Sequence, residues 1–233
     1  MKNFWSYISN GKYSIGTTGQ TVYLYDENGN EIKKYKDIKY GYTPMFSPDG
    51  KLFVVKSTEG KIAVYSLETF DLIKKFRFSK VDGSQDDGFC FSPDGKEFYN
   101  IERHIESYIS RLSVYDTETF ELKKQLFADD FNLVIDTIEY DADTEVYYIL
   151  GFYRTENDNG MNRYFISKFL DDALYELVYI SEEDRDLYYW YNDLKNMGFT
   201  PKAYQFHFSL NKYSLDELKN MNLSLAELHH RFK

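Results

Sequence analysis

Four histidines, a single cysteine and three Asp-Asp pairs are the residues of this 233-residue chain whose types invite chemistry. A zinc centre needs ligands spaced so that several side chains converge, as in H-E-x-x-H on a helix. His104, His207, His229 and His230 show no such spacing, and the adjacent pair His229-His230 cannot place both rings on one helix face. Cys90, between Phe89 and Phe91, is expected to be a small buried hydrophobe, and one cysteine excludes an intrachain disulfide. Residues 155–166 carry Thr where a calcium loop begins and Ile166 where it needs its bidentate Glu, so they read as a hairpin tip. Asp86-Asp87, Asp129-Asp130 and Asp171-Asp172 recur at intervals of 43 and 42, in the expected connections between repeated units. Carboxylates gathered in that way could hold a cation or a basic peptide, although solvated loops have the same composition. Nucleophile elbows, P-loops and G-x-G-x-x-G are absent. The expectation is a protein without catalytic residues, cofactor or metal.

Aromatic residues make up 19% of the chain, with 23 Tyr and 19 Phe. Most should pair across strands in a core, but tyrosine in excess of core needs also serves binding surfaces. Tyr40, Tyr42, Tyr99 and Tyr108 lie in or beside expected loops. Together with Asp86, Asp87, Asp129 and Asp130 they form the candidate partner-binding set.

The elements that must position these residues are repeated. Ser47-Pro48-Asp49-Gly50 is turn chemistry: Pro presets φ, Asp bonds the backbone ahead, and Gly accepts positive φ. Strand patterns follow at Leu52–Val55 and Ile62–Tyr65, then a Leu67-Glu68-Thr69-Phe70 turn and a last strand from Asp71 to Phe78. The phrase Phe91-Ser92-Pro93-Asp94-Gly95-Lys96 restates the first turn 45 positions on, and Thr119-Phe120-Glu121-Leu122 restates the second 50 positions on. Five residues are therefore inserted, around Glu102–Ser110. Weaker copies lie at Val22–Lys34 and Tyr140–Leu150. A period of about 40–50 residues with several short strands marks propeller blades. SPDGK followed by V-Y-[SD]-x-E-T-F resembles the WD40-like and YVTN-type β-propeller repeats of bacteria, over roughly residues 1–181; Tyr115-Asp116 stands where strict WD40 blades have Trp-Asp. The resemblance implies a mostly β chain, a β-propeller-like array of about four antiparallel blades.

Beyond Ile180 the period breaks. Ser181-Glu182-Glu183-Asp184 suits a helix start, and Leu187, Trp190, Tyr191 and Leu194 share one helical face before Gly198 and Pro201. Tyr204–Leu210 alternates as a strand would. Ser214/Glu217 and Ser224/Glu227 are capping boxes that predict two short helices with stripes Leu215/Leu218 and Leu225/Leu228/Phe232. Two regions are expected: a repeat domain at 1–181, and helices plus one strand at 182–233 that pack on it or close it.

A formal net charge of −10 with a pI near 5.0 disfavours nucleic acid. No run of about 18 apolar residues exists to span a membrane, so a soluble cytoplasmic protein is expected. Repeat architecture without catalytic text points to a non-catalytic protein–protein interaction module, with a basic partner such as a toxin to be neutralised. The alternatives are a carbohydrate or small-ligand binder that stacks Tyr, Trp5 and Trp190 on rings, and a channel-centred hydrolase or lactonase that gathers carboxylates from several blades.

Overall fold

A computed structural model describes residues 2–78, 84–85, 88–104, 109–155, 162–196, 198–201 and 210–233. The described strands fall into four antiparallel up-and-down sheets. The first holds β1 (Ser6–Ser9), β2 (Tyr13–Thr17), β3 (Val22–Asp26) and β4 (Glu31–Tyr35). The second holds β5 (Gly41–Phe46), β6 (Leu52–Ser57), β7 (Lys61–Ser66) and β8 (Leu72–Arg77). The third holds β10 (Phe89–Phe91), β11 (Glu97–His104), β12 (Ser110–Asp116) and β13 (Leu122–Leu126), with the two-residue β9 (Ser84–Gln85) on the end of β11. The fourth holds β14 (Leu133–Asp141), β15 (Val146–Tyr153), β16 (Arg163–Leu170) and β17 (Ala173–Tyr179).

The repeated words fold into repeated geometry. Both SPDG turns join the first strand of a sheet to the second. In each the Ser hydroxyl donates to the Asp carboxylate at 2.7 Å, and the same carboxylate oxygen accepts the following Lys N–H at 3.0 Å. The Thr-Phe turns also match: Phe70 and Phe120 have φ of +61° and +52°, strained for a residue with a side chain. In all four sheets the pairing of third and fourth strands slips by one residue, at Tyr25, Tyr65, Tyr115 and between Ile166 and Lys168. A one-residue slip of this kind is what a β-bulge makes, and bulges sharpen the local twist of a strand pair.

The sheets pack in chain order. Ile15, Leu24 and Tyr35 of the first meet Phe53, Val55 and Tyr65 of the second. Val54 and Val64 of the second meet Phe89, Phe98 and Tyr115 of the third. Ile101, Leu112 and Val114 of the third meet Ile135, Ile149 and Phe165 of the fourth. A middle sheet is thus covered on both faces, so β6 and β7 are buried almost end to end, without apolar–polar alternation. Fourth strands β8 and β13 stay open along one edge and carry paired lysines, Lys74-Lys75 and Lys123-Lys124, which blunt edge-to-edge association. Lysines on the fourth strands β4, β8 and β13 also reach the next sheet: Lys33 to Asp71 at 2.8 Å, Lys74 to the Thr119 carbonyl, Lys124 to Asp172 at 2.6 Å.

The outer face of the fourth sheet is covered by helices. Ser181 caps a short 3₁₀ turn that leads into α1 (Arg185–Tyr189) and a π-helical turn, Trp190–Asn196. Next come α2 (Leu215–Met221) and α3 (Leu225–Phe232), each opened by the expected capping box. Leu187, Trp190, Tyr191, Leu218, Leu225 and Leu228 pack against Tyr148, Leu150 and Ile166. The π turn widens the spacing predicted for one regular helix from Leu187 to Leu194. Asn192 there accepts from Thr137 of β14 at 2.7 Å, and the chain beyond pairs with β1, Thr200 N–H donating to the Trp5 carbonyl at 2.8 Å. The fourth sheet is thereby tied to the first. The strand expected at 204–210 falls, apart from Leu210, outside the described residues. No described helix is long and apolar enough to cross a membrane.

Candidate functional site

First-to-second and third-to-fourth strand connections lie at one end of each sheet, the turn end. The remaining connections, including those to the next sheet, lie at the other, the loop end. The sheets share these ends: Gly19 on the β2–β3 turn bridges Gly41 at the start of β5, while Pro48, Pro93 and Tyr140 line one cavity.

At the loop end stand four of the predicted residues. Tyr40, 42% exposed at φ +52°, is held by its backbone, its N–H donating to the Gly19 carbonyl and its carbonyl accepting from Thr58. Tyr42 is half-buried in β5, with its ring 6.0 Å from that of Trp5 and over Gly19, where a Cβ would lie 2.7 Å from it. Asp129 is exposed. Asp130 turns the loop, its carboxylate accepting the N–H groups of Asn132 and Leu133 at 3.1 Å. Between them and β14 the sequence reading missed Phe131, which is 64% exposed while Arg154 donates to its carbonyl at 2.8 Å. The loop borders an open depression of about 570 Å³.

Three expectations change. Tyr99 lies within β11, not beside a loop; it is buried, donates to Glu97 at 2.8 Å and packs 5.0 Å from the Tyr147 ring. Burial, then the Glu97 bond, pushes its phenol above the ordinary range. Asp171-Asp172 occupies the β16–β17 turn, at the turn end and away from Asp129-Asp130, with Asp172 engaged by Lys124. The three Asp pairs therefore do not share one face. Trp190 is buried and so is not available to a sugar, while Trp5 is half-buried with an edge-to-face contact to Tyr42. Asp86, Asp87 and Tyr108 lie outside the described residues.

At the turn end, a cavity of about 460 Å³ opens where β5, β10, β14 and the π turn converge. Its walls include Phe46, Phe91, Tyr140 and Tyr191, with Pro48 and Pro93 of the repeated turns beside them. Two opposite charges stand among these rings. Glu139, half-buried on β14, accepts the Leu225 N–H at 3.4 Å; Lys195 donates to the Leu223 carbonyl at 2.6 Å. Burial raises the Glu139 pKa against the pull of Lys195 and the Leu225 amide. Burial lowers that of Lys195 against the pull of Glu139 and Glu227. Cys90 also lines the cavity, its thiol pushed far up by burial and by the Glu139 charge; a thiol so held is not a nucleophile. No sequence motif marks this cavity.

A larger cavity, about 1110 Å³, lies beside Phe4, Tyr7, Tyr25 and Phe199. Among the described residues, no group of three or more His, Cys, Asp or Glu could hold a metal. No family model and no curated protein matches the chain. Its fold is similar to that of Kuenenia stuttgartiensis hydrazine synthase, at TM-score 0.60 and 17% identity, over 78% of this chain and 51% of that one. The chain thus spans about half the length of that structure, and the likeness is one of fold.

Proposed function

We propose that the four sheets are blades of a β-propeller-like array of the WD40-like or YVTN kind, and that the chain is a non-catalytic interaction module whose loop end docks a basic partner protein. The observation that carries this reading is Phe131, a large apolar ring 64% exposed beside two carboxylates, on a loop fixed by Asp130 and Arg154. Exposed aromatics on pre-ordered loops make interface anchors, because little conformational freedom remains to be lost on binding. The flanking acid groups favour lysine or arginine on the partner. The test is affinity capture with wild type, Phe131→Ala, Asp129→Lys and, as a control, Leu170→Ala, an exposed apolar residue at the opposite, turn end. A basic protein retained by wild type and control, and weakened about tenfold by the first two changes, fits an anchor worth about 1.4 kcal/mol. Equal retention by all four ends the reading.

A second reading rests on the larger cavity. Phe4 lies 5.8 Å from Tyr7 and from Tyr23, and 6.1 Å from Tyr25, an aromatic wall on which the C–H face of a sugar ring could stack. Tyr7→Ala would abolish sugar binding there and leave the loop-end partner untouched.

A further inference from the structure

The cavity at the turn end combines features that the loop-end reading does not use. Its volume of about 460 Å³ falls in the range of about 300–1,000 Å³ typical of small-molecule sites. Its walls are mostly rings and aliphatic groups, yet one carboxylate and one amine sit among them. Among the described residues Glu139 accepts one hydrogen bond, through Oε1 from Leu225, and Lys195 donates one, to the Leu223 carbonyl. An occupant therefore finds Glu139 Oε2, and a Lys195 ammonium whose other neighbours are the Tyr191 and Trp190 rings at 5.1 and 5.7 Å, as groups able to take further hydrogen bonds. Pro48 and Pro93, set in turns of matching geometry, stiffen the rim.

We propose that this cavity binds a free α-amino acid with an apolar side chain, its ammonium on Glu139, its carboxylate on Lys195 and its side chain against Phe46 and Phe91. The choice of a zwitterion follows from the cost of desolvation. A ligand of one charge would pair with one of the two ionised groups and compete for it with the other, which would lose part of its compensation in a largely apolar wall. A neutral sugar would leave the two with little beyond their mutual attraction. A zwitterion pairs both, and its apolar side chain completes the wall. Occupancy would also brace the α2–α3 junction, because Glu139 and Lys195 hold its backbone at Leu225 and Leu223.

The experiment is calorimetric titration of the full chain with L-phenylalanine and L-leucine, beside N-acetyl-L-phenylalanine and L-phenylalanine amide. Binding of the free amino acids, at least tenfold weaker for each capped form, is expected. Glu139→Gln should weaken the free amino acid at least tenfold and lose the preference over the acetylated form. Lys195→Met should do the same with respect to the amide. Phe131→Ala should change nothing, which separates this site from the loop end. No heat from either amino acid up to millimolar concentration overturns the proposal, as does equal binding of capped and free forms. Should Lys195→Met fail to fold by circular dichroism, the capped ligands and Glu139→Gln decide alone.

Discussion

Glu102 shows how much one side chain can hold. It is fully buried in β11, and its carboxylate accepts from Arg111 Nε at 2.8 Å, Tyr115 at 3.1 Å and Asn100 at 3.3 Å. Its neighbour Lys56, equally buried, donates to the Ile101 carbonyl from the adjacent sheet. Removing a buried partner strands the others, so Glu102→Ala should cost about 3–5 kcal/mol in urea unfolding, and Glu102→Gln distinctly less because the amide still accepts. A loss under about 1 kcal/mol for the alanine change would contradict the network. Gly151 poses a steric case. A Cβ there would fall on the Val134 carbonyl and come within 3.2 Å of the Phe165 ring, so Gly151→Ala should destabilise by about 1–3 kcal/mol through overpacking. The melting temperature reads it directly.

Among elements, the C-terminal helices are fastened by a buried carboxylate more than by their own propensity. Helices of seven and eight residues are marginal alone. Asp186 on α1 is 2% exposed and accepts three successive backbone N–H groups, from Asn211 at 2.8 Å, Lys212 at 2.6 Å and Tyr213 at 3.0 Å. Asp186→Ala should free the segment from residue 210 onward, so limited proteolysis should clip it first while the sheets stay protected. Cleavage scattered equally through the β13–β14 loop would argue against a local clasp. The capping boxes of α2 and α3 were legible because their hydrogen bonds close within three residues. The π turn was not, since Leu187, Trp190, Tyr191 and Leu194 fit a regular helix until Asn192 is drawn to Thr137.

At the scale of the molecule, each sheet needs its neighbour, and the fourth needs the helices. Deleting 182–233 would bare Tyr148, Leu150, Ile166 and Ile180, so residues 1–181 alone should aggregate on size-exclusion chromatography. A monomeric truncation with unchanged melting would refute the packing account. The pH profile has a defined sign. Asp26, Asp71, Asp94 and Asp116 are held below the ordinary carboxylate range, Asp26 by Asn30, Asp71 by Lys33, Asp94 by Ser92 and Asp116 by the Thr119 backbone. A depressed folded pKa stabilises fully above the unfolded value and fades as pH falls through the folded one, so melting temperature should drop below about pH 4. Glu139, raised by burial, acts oppositely: its contribution is complete below the ordinary glutamate value and is lost as pH rises from there through the raised one. Glu139→Gln should therefore flatten the profile just above the ordinary value and leave the acid limb unchanged.

Local chemistry was readable from residue order alone: the two SPDG turns, the paired Thr-Phe turns, the helix caps and the apolar setting of Cys90 each depend on a few adjacent residues. The tertiary structure decided the rest. Tyr99 is buried because the fourth sheet lies over it, while Phe131 remains bare because nothing described covers its loop. Glu139 and Lys195 come to one cavity only because the chain turns back across the sheets after β17. A repeat in sequence sets what each unit makes; which faces meet, and which charges are taken from water, depends on the path that brings distant units together.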